Sequence, residues 1–559
     1  MNLVRNPLAL LRHPASAVTR IFHTLLILVL VVLLITGTFA NRAYSATGDL
    51  DPTFGAGGIV TTDFSDSFDA ANAVALQSDG KIVAAGTTIK DFGSAFTQDF
   101  AVARYNTDGS LDNGFGAGGK VTTDFSGEVD AANAIALQSD GKILVAGFAV
   151  TGRTMQFPNQ DFALARYNSN GSLDASFGTG GKVTTDFSGL FDMPLAIAIQ
   201  NDGKIVLAGS DEDFSFHARF ALSRYNSNGS LDITFGSGGK ITSVYPVFVQ
   251  PLAAAFQSDN KIVVAGSTAG LNDLVGDFLL TRYHSDGSVD TSFGTGGNTT
   301  TDFFGRNDQA NSIAIQGDGK IVAGGRANIS SDAFANYEFA LSRYNTEGSL
   351  DASFGTGGKL TIGFGGNDDE CTAIAIQPNG KIVTGGFTNA PPLIVFGDRH
   401  FALARLNSDG GLDSGFGTGA RIVTDFGGID EIRALAIQSD GKIIAAGVAG
   451  GDFALSRYIG APPFDVCLQD DSSGDTLKIN STTGEYQFTK CGGLVLSGMG
   501  TLIKRGSIIT LQHYGPDRRV LATIDNAVNK GFASIQVFSQ GTTFTITDRN
   551  TTNNTCACR

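Results

Sequence analysis

One stretch is written seven times along this chain, most cleanly as AIALQSDGKILVAG at residues 134–147. Two short apolar runs flank Asp140-Gly141, a dipeptide suited to positive backbone angles, so the segment predicts a β-hairpin with a two-residue type I′ turn. Its marker glutamine recurs at Gln77, Gln138, Gln200, Gln257, Gln316, Gln377 and Gln438, a period of about sixty residues. A unit of that kind cannot bury its own apolar face and needs its neighbours, so the repeat governs the fold.

Each unit holds four strand-like pieces. Strand a is the AIALQ run and strand b the KILVAG run; c is written DFALARY at 161–167, and d is KVTTDF at 182–187. Four-stranded sheets repeated radially are propeller blades, with period-2 alternation and Gly-rich turns; a solenoid is the rival reading. The ends of the array decide between them. It opens on a lone d, GIVTTDF at 58–64, and closes on a, b and c, the last being DFALSRY at 452–458. An unpaired edge strand invites aggregation, and pairing the first d with the last c removes that hazard. The expectation is an all-β, seven-bladed β-propeller closed by an N-terminal d strand. The 73 glycines and 41 phenylalanines, with no tryptophan, suit short strands, tight turns and Phe-filled seams.

The series LDxxFGxGG, TTDF, QxDGKIxxAG and DFALARY resembles the delta-60 repeat of bacterial extracytoplasmic proteins, a propeller-like family without a general activity, over residues 48–458. Departures are local: SVYPVF replaces TTDF once, and Asn260 stands where a turn glycine is expected. The resemblance implies architecture more than function, since one fold hosts many chemistries.

Residues 1–46 form a basic start followed by the apolar run TLLILVLVVLLITGTFA at 24–40, with small residues beyond it. This predicts an N-terminal apolar helix acting as a signal peptide, or as a membrane anchor if uncleaved. The propeller should occupy 47–459, followed by a Pro-containing linker at 460–463 and a small β module at 464–559. Cys467, Cys491, Cys556 and Cys558 lie in that module, and an even number outside the cytoplasm predicts two disulfides; a four-thiolate metal site is the alternative. Cys371 is left over as a buried thiol. A net charge of −15 argues against nucleic acid as a partner. Protein, glycan or peptide ligands remain, with the membrane engaged only through the N-terminal segment, and a closed ring is expected to be monomeric.

Eight residues before six of the marker glutamines stand Asp69, Asp130, Asp192, Asp308, Asp369 and Asp430, with Val249 in the remaining repeat. In a propeller these lie near one mouth of the channel. They could bind a ligand or a hard cation such as Ca2+, the one cofactor the sequence suggests, or each could cap its own d-to-a turn. Turn segments such as NTDGSLD at 106–112 resemble calcium loops, but NSNGSLD in other repeats lacks the carboxylates, so Asx turns account for them. Arg104, Arg166, Arg224, Arg282, Arg343, Arg405 and Arg457 hold one position of strand c and should pair with the Asp of LDxxFG, for example Asp112 or Asp174. Phe100 and its equivalents should pack between blades.

His217, His284 and His400 fall in different parts of their repeats, and the chain has neither GxSxG nor a phosphate loop. No catalytic residue is assigned. The sequence reads as an exported binding or scaffold protein with recognition on the variable b-to-c loops; a metal-dependent hydrolase or lyase at the acidic channel mouth is the alternative.

Overall fold

A computed structural model describes residues 47–460, with short gaps in some loops, and nine further strands between Val466 and Asp548. Among the described residues there is no helix. The predicted N-terminal helix and the linker residues 461–463 lie outside them, as do the side chains of Cys467, Cys491, Cys556 and Cys558.

Seven four-stranded antiparallel sheets form the repeat array. In the first, strand a is Asp69–Leu76, b is Ile82–Asp91, c is Thr97–Tyr105 and d is Lys120–Thr123. The last blade takes a, b and c from Glu431–Ile437, Ile443–Ala449 and Asp452–Tyr458, and its d from Ile59–Thr62. That d strand runs antiparallel to the last c, with Ile59 opposite Ser456 and Thr62 opposite Phe453. The predicted circular closure is therefore present. Beyond Val466, four consecutive strands form one antiparallel sheet and the next five another.

The hairpin turn corrects the sequence expectation. A type I′ turn needs two positive φ angles, yet at 138–142 only Gly141 has one, at 83°. Gly141 N–H donates to Gln138 O at 3.0 Å and Gln138 N–H to Lys142 O at 2.9 Å, which makes a three-residue loop with glycine in the left-handed position. Asp140 keeps ordinary backbone angles because its carboxylate accepts the Lys142 N–H at 3.1 Å. Asn260 takes the glycine's place at φ 64°, as the side chain most tolerant of that region can.

Blades are joined by one repeated device. Arg166 Nε donates to Asp174 Oδ2 at 2.9 Å, Lys142 Nζ reaches the same oxygen at 3.0 Å, and Oδ1 accepts Ser176 N–H and O–H. The guanidinium lies over the Phe177 ring, 4.4 Å from its centroid, and its Nη1 donates to Ser227 O of the following repeat at 2.5 Å. All seven predicted Arg–Asp pairs form. In the closing pair Arg457 meets Asp51 at 2.8 Å, joining residues 406 apart in sequence. The seam buries apolar side chains as well: Ile444 and Phe453 of the last blade share a core with Ile82 and Tyr105 of the first. Tyr105 O–H donates across it to Thr62 Oγ1 at 2.8 Å. Phe100 and its equivalents are buried, and six of the seven lie against the Phe that follows a d strand, as Phe100 on Phe125 at 4.9 Å; the repeat of Phe220 has SVYPVF there and no Phe at that position.

Removing one partner of a buried, fully hydrogen-bonded pair strands the other charge. Asp51→Ala is expected to lower unfolding stability by about 3–5 kcal/mol in urea titrations, while Asp108→Ala, on an exposed turn, should lose far less.

Candidate functional site

The six aspartates of the d-to-a turns all lie at the same end of their a strands, and all are fully buried. Each accepts a backbone N–H from the Phe closing its turn: Phe64 to Asp69, Phe125 to Asp130, Phe187 to Asp192, Phe303 to Asp308, Phe364 to Asp369 and Phe426 to Asp430, at 2.6–2.7 Å. The turn-capping role is thus realised in every repeat that has the residue. Val249, which replaces it once, is packed into an apolar core instead.

The second carboxylate oxygen separates the repeats. Asp369 Oδ1 accepts Thr388 O–H at 2.5 Å, and Asp430 Oδ1 accepts Gly450 N–H at 3.2 Å. In Asp130, Asp192 and Asp308 the Oδ1 atom is buried with no hydrogen-bond partner. Burial pushes these carboxyls up, to about 6 for Asp130, about 8 for Asp192 and about 7 for Asp308, and neighbouring carboxylates add to the effect. Burial raises Asp69, Asp369 and Asp430 as well.

Those neighbours are residues the sequence reading passed over. The Asp of TTDF and the Asp heading strand c come together with the buried Asp of the next a strand. Four such groups form, Asp63/Asp69/Asp452, Asp99/Asp124/Asp130, Asp161/Asp186/Asp192 and Asp277/Asp302/Asp308, each with one oxygen per residue within 4.8 Å of the others. In a fifth, His400 takes the place of the strand-c Asp beside Asp425 and Asp430. Each group holds only one of the six predicted residues, so the carboxylates gather at the blade junctions. The signal was present in the repeat itself: the D of TTDF and the D of DFALARY recur with it.

The channel wall is set by a β-bulge in every a strand, for example between Ala132 and Ala134. The bulged residues are Asn72, Asn133, Leu195, Leu252, Asn311, Thr372 and Arg433, and all seven line one cavity of about 400 Å³. A glycine sits across from each bulge because nothing larger fits; a Cβ on Gly147 would stand 1.9 Å from Ala131 O. Polar members latch onto the next blade: Asn72 Nδ2 donates to Ala132 O at 2.8 Å, and Arg433 Nη1 to Asn72 Oδ1 at 2.8 Å across the ring seam. Leu195 and Leu252 make that stretch of wall apolar. A second cavity of about 900 Å³ opens by the a-to-b turns, with Gln200, Gln257, Gln316 and Lys261 in its wall.

Six segments, 77–115, 138–177, 200–235, 257–293, 316–354 and 377–416, match the family model described as "Domain of unknown function (DUF5122) beta-propeller". The chain is built of β-propeller repeats. Each matched segment runs from a marker glutamine to the Phe beneath the arginine of strand c, so the match covers the hairpin and the Arg–Asp pair together. No curated protein matches the chain. Among solved structures, it is similar to virginiamycin B lyase from Staphylococcus aureus at 10% identity, covering 72% of this chain and 98% of that one, with a TM-score of 0.39. A PL25 ulvan lyase also shares 10% identity, over 72% of this chain and 96% of its own, with a TM-score of 0.39. A glucose dehydrogenase shares 15% identity, over 59% and 95%, with a TM-score of 0.34. Those activities belong to those proteins.

A carboxyl whose folded pKa is raised holds its proton more tightly in the folded chain. The stability contributed by Asp130, Asp192 and Asp308 is therefore full below about pH 4 and is lost as pH rises through about 6, 8 and 7 respectively. Asp51 and Asp112, held near 2 in the folded chain, act oppositely: their contribution is present above about pH 4 and lost as pH falls toward 2. In chelator-containing buffer the urea midpoint is expected to fall between pH 5 and 8. Asp192→Asn, which keeps a neutral acceptor for the Phe187 N–H, should show a shallower fall.

Proposed function

We propose that this is an exported, non-enzymatic binding or scaffold protein that recognises a protein, glycan or peptide with one face of its ring. The observation that carries this reading is the division between repeated and unrepeated side chains. The repeated arginine, tyrosine and capping aspartate are engaged in holding blades together or closing turns, as Arg166, Tyr167 and Asp192 illustrate. Variation concentrates where a ligand would be met, in the channel wall and the b-to-c hairpins. The hairpin of the second blade has the longest paired strands among the described residues, Ile143–Thr154 and Phe157–Tyr167, with an exposed Phe157 near its tip.

Export rests on the basic and apolar composition of residues 1–40 and on the resemblance to delta-60 repeats. We divide the chain accordingly into a targeting segment at 1–46, the propeller at 47–459, a linker at 460–463 and a disulfide-containing module at 464–559. The net charge of −15 favours partners other than nucleic acid. A metal-dependent hydrolase or lyase is the second reading. The group that favours it is His400, Asp425 and Asp430, since imidazole with carboxylates suits a catalytic metal.

Glycan and peptide arrays probed with the secreted protein should identify a ligand. Replacing residues 153–158 by Asn-Gly, which keeps Thr151 and Asn159 on Asp161, is expected to weaken its binding at least ~10-fold, about 1.4 kcal/mol, without changing the melting temperature. Undiminished binding would move recognition to another face, and chemical conversion of the ligand seen by mass spectrometry would favour the enzyme.

A further inference from the structure

Among the carboxylate groups at the blade junctions, Asp277, Asp302 and Asp308 are poorly compensated. At three of the others the structure supplies its own counterparts. Asp99 is ion-paired with Lys90, Asp161 accepts Thr151 O–H at 2.6 Å and Asn159 Nδ2 at 3.0 Å, and both oxygens of Asp430 are hydrogen-bonded. At the fourth junction, among the described residues, no lysine or arginine side chain forms an ion pair with any of the three. Lys359, the nearby ammonium of strand d, donates to the main-chain oxygen of Asp302 at 2.6 Å and lies over the Phe303 ring.

One oxygen from each of the three lies within 4.8 Å of the others. Asp308 is fully buried, its Oδ2 takes the Phe303 N–H at 2.7 Å, and its Oδ1 has no hydrogen-bond partner. Asp302 Oδ1 accepts the Gly305 N–H at 2.5 Å, and Asp277 is half-buried. A buried carboxylate oxygen left without a donor is costly, and two more carboxylates beside it raise that cost. A cation answers both at once. Two oxygens bound to one ion at about 2.4 Å stand no more than ~4.8 Å apart, so three oxygens within that limit can share one cation. An all-oxygen set of protein carboxylates suits calcium; magnesium keeps most of its water shell and demands a near-ideal octahedron, and such a donor set does not favour zinc.

We propose that Asp277, Asp302 and Asp308 form a calcium site at the junction of the fourth and fifth blades, with Asp308 as its buried anchor and water completing the coordination. The site ties the head of one c strand and the end of one d strand to the start of the next a strand. Calcium there would stiffen the junction independently of whatever the ring face recognises. The same three elements meet at three other junctions where Lys90, Thr151 or His400 takes over part of the cation's role.

Equilibrium dialysis of the full secreted chain against radioactive calcium at pH 7.5 tests the site. The expected result is that Asp277→Asn binds one calcium fewer than the parent, or binds it at least ~10-fold more weakly, with an unchanged circular dichroism spectrum. Asp302→Asn should give the same loss, which keeps the test decisive if one variant folds poorly. A parent chain that takes up no calcium at millimolar concentration, or two folded variants that bind the parent's full number with the parent's affinity, would overturn the proposal.

Discussion

A guanidinium held between two blades is the interaction on which the ring depends. Arg457 gives Nε to Asp51, Nη2 to Thr53 Oγ1 and Nη1 to the main-chain oxygen of Thr107, so a single side chain gathers the last blade, the N-terminal segment and the first c-to-d turn. A buried charge is tolerable only when its donors are all engaged and its partner is equally well served. Asp51 meets that condition with Lys442 as a second cation and the Thr53 N–H and O–H on its other oxygen. Repetition of this device seven times makes the seam where the chain ends meet the same as any other seam. The ring then has no exposed sheet edge at the join.

With the blades fixed, the remaining polar positions divide into those that serve the backbone and those that the fold leaves in tension. Capping aspartates belong to both groups. Their Oδ2 atoms close the d-to-a turns, whereas Oδ1 finds a donor only where a neighbour supplies one, as Thr388 does for Asp369. Opposite Asp130 the b strand presents Ala149, and opposite Asp308 it presents Ala327. A methyl group offers no proton, so strand b gives the buried oxygen no side-chain donor. Small differences on strand b thereby decide which junctions are electrostatically complete.

The channel follows a related logic. A bulge in each a strand turns one extra side chain inward, and the glycine across from it makes room. Because that inward residue is not needed by its own blade, it is the position most open to change. Asn72 and Arg433 use it to clasp a neighbour, while Leu195 and Leu252 give an apolar wall. The result is a cavity with unlike sides inside a nearly symmetric shell.

How much of this was legible in the residues themselves depended on range. Strand identity, blade number, the swapped d strand, the Arg–Asp pairs and the interblade phenylalanines follow from local patterns repeated seven times, because a period reveals which residues every unit requires. The hairpin turn was misjudged because Asp-Gly serves both a type I′ turn and a longer loop ending in one left-handed glycine, and the Asp140 bond to the Lys142 N–H decides between them. The grouping of Asp277 with Asp302 and Asp308 came only from tertiary structure. Those three lie at the ends of three strands of two blades, and sequence distance carries no measure of the separation between them. Folding brings their oxygens within 4.8 Å, since closing the ring tilts each a strand against the c and d ends of the blade before it.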